Sequence, residues 1–207
     1  VAAAPTTADA KPLAEQTPAA AAATGAPFAP VEPHMAAVPV YPTRLPGPAL
    51  LRYEMQRGSA VGSAELSWRR QGEAYELSLD TELPGKPALG STSRGAVDAN
   101  GVAPLRMVER RRDKALRAVN FQREAGLITF SGPQIEHALH PGVQDRLSWM
   151  LQLPGIVEAD PALAREGARL TLFVVGTRGD AEAWHFEVQR PETLALPAGT
   201  TAQAVVL

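Results

Sequence analysis

The sequence predicts an all-β fold: a curved antiparallel sheet or open β-barrel with one helix packed on it, preceded by a disordered Ala/Pro-rich linker. Three observations carry that prediction. Apolar and polar residues alternate with period 2 through most of the chain after residue 48. Turn signals recur every eight to twelve residues or so, the spacing of a sandwich or barrel. One stretch alone, His140–Gly155 ("HPGVQDRLSWMLQLPG"), has helical spacing.

Residues 1–48 differ in texture. They are rich in Ala and Pro with no period of 2 or 3.6, and proline blocks the helix that alanine would favour. A disordered spacer is expected there, with the β-rich domain occupying 49–207. "LLRYEMQ" then sets Leu51, Tyr53 and Met55 against Arg52, Glu54 and Gln56, which reads as a half-buried strand. "SAELSW" alternates Ala64, Leu66 and Trp68 against Glu65 and Ser67, and "YELSLD" alternates Tyr75, Leu77 and Leu79 against Glu76, Ser78 and Asp80. With tight turns between them, these three strands form an antiparallel meander. "DANG" is a turn with Gly101 available for positive φ. "LRMVER" and "ALRAVNF" flank "RRDK" as a hairpin, "LITF" makes another strand, and "ARLTLFVVG" and "AEAWHFEVQ" flank "TRGD". "ETLAL" and "TAQAVVL" close the chain as strands.

Pro141–Gly142 is expected to start the helix and Pro154 to stop it. Val143, Leu147, Met150 and Leu151 form its apolar stripe, with Asp145, Ser148 and Gln152 opposite and Trp149 beside them. An aromatic ring outside the stripe needs a second covering surface, so the helix is expected to be clamped between the sheet and something else, or to rim a cavity.

Composition excludes several functional classes. The 207 residues carry 20 Lys+Arg against 22 Asp+Glu, a net charge of −2, so bulk charge courts no polyanion. There is no cysteine, hence no disulfide, thiolate nucleophile or Cys-based zinc site. The one basic run, "ERRRDK", lacks interleaved aromatics and sits at a hairpin end, which argues for a solvated turn over a nucleic-acid surface. No run of apolar residues reaches the roughly 18 needed to span a membrane.

Three residues stand as candidate ligand-binding positions: Trp149, Asp145 and Ser148. Asp145 and Ser148 are three apart, within reach on one helical face. A serine nucleophile needs a base and an orienting group, and neither a histidine at telling spacing nor a GxSxG elbow is present. A first-turn carboxylate favoured by the helix dipole explains Asp145 structurally. His137 and His140, beside Glu136, lie ahead of Pro141 in an expected loop and supply too few ligands for a metal. His185 falls on the polar face of its strand. No catalytic residue, metal or cofactor is therefore expected.

Tyr53, Gly62–Trp68, Tyr75, "SRG" at Ser93–Gly95, "DANGVAP" at Asp98–Pro104, "ERRR" at Glu109–Arg112, "NF" at Asn120–Phe121, "GVQDRLSWMLQL" in the helix and "TLALPAG" at Thr193–Gly199 follow one another in this order. Together they resemble the bacterial domain-of-unknown-function family 3108 over about Leu50–Leu207, and look closest to its betaproteobacterial branch. The resemblance implies an exported, all-β protein without an established activity. It further implies a periplasmic location, with tethering to the inner membrane by an N-terminal segment not in this chain. Two further strands are implied beyond Leu207, so that Ala202–Leu207 would pair on one side only in a C-terminally truncated chain. The expected function is a non-enzymatic binding module for an apolar or amphipathic ligand, such as a lipid, by fold analogy with periplasmic lipoprotein carriers. The alternatives are a tethered scaffold module with an envelope protein partner, or a hydrolase with an unrecognised site. Nucleic acid is not an expected partner, and membrane contact is expected only through the N-terminal anchor.

Overall fold

A computed structural model describes residues 38–112, 114–190, 192–195 and 201–204. Eight strands follow one another as an antiparallel meander, each bonded to its sequence neighbours: β1 (Ala49–Arg57), β2 (Ala60–Gln71), β3 (Ala74–Glu82), β4 (Leu89–Asp98), β5 (Gly101–Arg111), β6 (Lys114–Gln122), β7 (Leu127–Phe130) and β8 (His137–Ala138). Strands β1 and β8 remain at the two edges, so this is an open sheet and not a closed barrel. The remaining elements are β9 (Gln144–Asp145), α1 (Trp149–Ala159), β10 (Arg169–Val175), β11 (Ala181–Glu187), β12 (Glu192–Ala195) and β13 (Thr201–Ala204). Strand β10 pairs antiparallel with β11 and parallel with β9, and β12 pairs with β13.

The period-2 reading locates the core. Ala64, Leu66 and Trp68 of β2 and Tyr75 and Leu77 of β3 are buried, and with Met107, Val119, Phe121 and Ile128 they form the sheet's inner face. Leu147, Leu151, Phe173 and Val175 close over that face from the opposing layer. A second cluster of Leu153, Ile156, Leu170, Leu172 and Val174 joins α1 to β10. The turn at Gly101 has φ +97°, and an added Cβ would run into the buried Gln152 Oε1, so both conformation and space call for glycine there.

The helix departs from expectation at both ends. It begins at Trp149, not Pro141–Gly142, because Gln144 and Asp145 pair with Val174 and Val175 as a strand. Asp145 Oδ1 then accepts from the amides of Leu147 and Ser148, committing 145–148 to a turn that feeds the helix. Asp145 is therefore ahead of the first turn, not in it. Nor does Pro154 stop the helix, which runs on to Ala159. An interior proline costs about 3 kcal/mol, whereas burying Leu153 and Ile156 contributes roughly 1.5–3 kcal/mol each, enough to offset it.

Other expectations are also corrected. Strand β1 is not half buried: Leu51 and Tyr53 remain 46% and 43% exposed, because the covering layer does not reach this edge. His137 lies in β8, not in a loop. The packed domain begins before residue 49. Residues 38–47 lack helix and strand, as expected of the linker, yet Val38 and Leu45 pack on the main core and Tyr41 on the second cluster. Pro46 accepts from Trp68 Nε1, and Arg44 N donates to Gly155 O. The rest of the expected linker, residues 1–37, lies outside the described residues, as do Val205–Leu207 of the expected last strand.

Leu147 is fully buried between sheet and helix layer. Leu147→Ala is expected to lower unfolding free energy by ~2–5 kcal/mol, read from urea melts. A loss below about 0.5 kcal/mol, the size of a surface change, would contradict this packing.

Candidate functional site

The polar residues expected opposite the helix stripe are not at the surface. Gln144, Asp145, Ser148 and Gln152 are all but sealed from solvent; Gln144, Asp145 and Gln152 bond to β4, β5 or the turn between them, and Ser148 bonds to Asp145. Asp145 Oδ2 accepts from Ser93 Oγ of β4 at 2.5 Å. Ser93 Oγ lies 2.8 Å from the Tyr75 hydroxyl of β3. Because Ser93 has one proton and directs it at the carboxylate, Tyr75 is the donor in that contact. Ser148 Oγ accepts from Asp145 N at 2.9 Å. The result is a directional chain, Tyr75 to Ser93 to Asp145, running from the sheet into the turn before α1.

Glutamines complete the fastening. Gln152 Oε1 accepts from Val102 N at 2.9 Å, while its Nε2 donates to Asn100 O at 2.6 Å and Thr43 Oγ1 at 3.0 Å. Gln144 Nε2 donates to Val102 O at 3.0 Å and Gly142 O at 3.2 Å. Val102 is thus gripped at both its N–H and its C=O. The β4–β5 turn, the N-terminal segment and the helix layer meet at one buried polar latch.

Electrostatics follow from the burial. Desolvation pushes the Asp145 carboxyl above the ordinary carboxylate range, with the bonds from Ser93, Ser148 and Leu147 opposing it. Desolvation, reinforced by the Asp145 charge, likewise drives the Tyr75 hydroxyl well above its usual value. Both carboxylate oxygens of Asp145 are occupied and shielded, which gives it the geometry of a structural anchor.

Trp149, the third candidate residue, is separated from this latch. It packs on β11, with ring centroids 5.6 Å from Trp184 and 5.7 Å from Phe186, and Arg146 Cζ sits 5.7 Å from the Trp184 centroid. The second surface that Trp149 required is therefore the small sheet. Asp145 and Ser148 are brought together, and Trp149 serves a different interface. His137 Nε2 bonds Gly179 O, His140 lines a cleft, and exposed His185 contacts Thr171 Oγ1. Among the described residues no three His, Asp or Glu side chains gather as a metal site would need.

That cleft, of about 330 Å³, opens beside the latch. It is walled by Asp98, Asn100, Arg123 and His140 over Val102, Ala103, Leu139, Pro141 and Val143. Arg123 donates to Pro104 O at 2.9 Å. Burial draws its guanidinium below the usual value, with Asp98 and Tyr75 opposing. Sequence reasoning missed Arg123, which carries no local motif. It also passed over Ser93 and Tyr75 as a pair, although a tyrosine on an inward-facing strand position needs a partner for its hydroxyl.

A family model described as "Protein of unknown function (DUF3108)" matches residues 52–207. No curated protein and no solved structure matches the chain. The chain belongs to that family of proteins of unknown function, and the "SRG" and "QDRLS" stretches that resemble it meet in the buried latch.

The raised pKa of Asp145 has a definite sign. Its protonated form is the one folding favours, so its contribution is fully present below the ordinary carboxylate value of about 3.9 and is lost as pH rises through the folded value. Asp145→Asn has no such dependence at this position. The stability of the wild type minus that of the variant is therefore expected to fall as pH rises from about 4 and then level off, measured by chemical denaturation across pH. A difference that grows with pH would show that the three hydrogen bonds outweigh burial.

Proposed function

We propose that this family member is a non-enzymatic binding module of the bacterial cell envelope, whose cleft takes a small amphipathic ligand with an acidic head. The observation that carries this reading is Arg123 in the wall of a largely polar cleft, with Leu139 also in its lining and Val102, Ala103 and Val143 buried beneath it. Its guanidinium has five N–H donors; one bond goes to Pro104 O, and no carboxylate forms a salt bridge with it among the described residues. Asp98, also lining the cleft, accepts from Asn100 N within its turn, and its charge acts on Arg123 without an ion-pair contact. The volume sits at the low end of ligand pockets, roughly 300–1,000 Å³, so the ligand is small. The space between the sheet and α1 is filled by Leu147, Leu151, Phe173 and Val175, which favours this marginal cleft over an enclosed apolar cavity.

A non-catalytic role is supported by the latch, whose one carboxylate is saturated with donors and shielded. The envelope assignment, with periplasmic exposure and an N-terminal tether, rests on the resemblance to the exported family 3108, and the Ala/Pro-rich composition of residues 1–37 suits a spacer. No helix among the described residues is long and apolar enough to cross a membrane. A scaffold role is the second reading, favoured by the long open edge strand β1.

Octanoate is a suitable probe, with a carboxylate head and a tail short enough for the cleft. Titration followed by amide NMR is expected to give saturable shifts at Val102, Ala103, Gly142 and Val143. Arg123→Gln is expected to weaken binding about tenfold or more, since a hydrogen bond to a charged group contributes ~1.5–3 kcal/mol. Absent shifts at these amides, or unchanged affinity in the variant, would contradict the proposal.

A further inference from the structure

Strand β1 is a nine-residue edge, bonded to β2 on one side and, among the described residues, to no strand on the other. Leu50, Leu51 and Tyr53 on it, with Val61 on β2, are 52%, 46%, 43% and 50% exposed. Natural edges are blunted by proline, a bulge, an inward charge or charged side chains along the edge, and of these β1 has only the last. Strand β1 contains no proline, and its register with β2 runs unbroken from Ala49↔Trp68 to Arg57↔Ala60. Its charges are Arg52, Glu54 and Arg57, of which the first two flank Tyr53 symmetrically.

We propose that β1 is a homodimerisation edge: it pairs antiparallel with β1 of a second copy, with Tyr53 on the twofold axis, to join the two eight-stranded sheets. The residue pattern selects this register. When a twofold axis perpendicular to the sheet relates the strands, the inner faces stay on one side, and opposed residues must share parity. Centring on Arg52 places two arginines opposite each other, and centring on Glu54 opposes two glutamates; like charges directly opposite are destabilising. Centring on Leu51 sets Arg52 against Leu50, and centring on Met55 sets Glu54 against Gln56. Centring on Tyr53 alone opposes Arg52 to Glu54 twice, with Leu51 meeting Met55 twice and the two Tyr53 rings adjacent. Arg52 already bonds Glu65 at 3.1 Å within its own chain, so the partner's Glu54 would join an existing ion pair. Backbone groups left open along the edge gain partners, and the uncovered row of Leu51, Tyr53 and Met55 gains apolar neighbours. The partner is thus a second copy of this chain, recognised by a palindromic charge pattern. This inference does not depend on the cleft binding a ligand.

The chain has no cysteine, which gives a clean background for crosslinking. Directly opposed residues have Cβ atoms about 4.5–5.5 Å apart, near disulfide geometry. In the full chain, light scattering is expected to show a species of twice 21.9 kDa. Tyr53→Cys should form a disulfide dimer under mild oxidation, whereas Arg52→Cys and Glu54→Cys should not. Glu54→Arg should weaken the dimer about tenfold by opposing like charges at two symmetric contacts. These positions are exposed, so circular dichroism should be unchanged for every variant. A monomer at all concentrations, equal crosslinking at the three positions, or a dimer that Tyr53→Cys fails to trap would overturn the proposal.

Discussion

A carboxylate held in a dry core by three donors is the interaction on which the rest of this structure depends. Desolvating such a group costs several kcal/mol even after relaxation. Hydrogen bonds to a charged group return roughly 1.5–3 kcal/mol each, so three together offset most of the cost, and burial keeps the net excess that raises the carboxyl's pKa. The Asp145 site is therefore tolerable only when Ser93 and the amides of Leu147 and Ser148 all arrive in place. Ser93 belongs to the meander and the amides to the turn before α1. Their meeting fixes how the helix layer sits on the sheet, which hydrophobic contact alone, being non-directional, does not.

The glutamines extend that constraint toward the surface. Gln152 and Gln144 hold Val102 at both backbone groups, and Gln152 also reaches Thr43 of the N-terminal segment. The segment thereby becomes part of the domain despite having no regular structure, and it shields the helix side that would otherwise face water. Val102 is also floor of the cleft. A ligand seated there would rest on backbone held rigid by the latch, so occupancy and fold stability are mechanically linked.

Much of the architecture was legible in the sequence because antiparallel strands with one buried face write a period of 2. Leu66, Trp68, Tyr75 and Leu77 were assignable to the core on alternation alone, and Gly101 to positive φ from its turn. The helix boundaries were not, because periodicity at Val143, Leu147 and Leu151 cannot distinguish a helix from a strand and turn that bury the same residues. The short parallel pairing of β9 with β10 is a long-range event with no local signature. Burial of the polar residues was hidden for a similar reason: Asp145, Ser148 and Gln152 look solvent-facing until Ser93, Asn100 and Val102 are brought opposite them. The same holds for Arg123, whose place at the cleft comes from the sheet's registry and not from its neighbours in sequence. Trp149 was partly legible, since an aromatic off the stripe demanded a second surface, which proved to be β11.

The central claim is that Ser93 and Asp145 act as one energetic unit joining sheet to helix layer. A double-mutant cycle with Ser93→Ala and Asp145→Asn, measured by urea unfolding at neutral pH, tests it most directly. Residues sharing a buried hydrogen-bond network couple by about 0.5–3 kcal/mol, and the upper half of that range is predicted here. Additive effects within about 0.3 kcal/mol, as found for independent sites, would contradict the account.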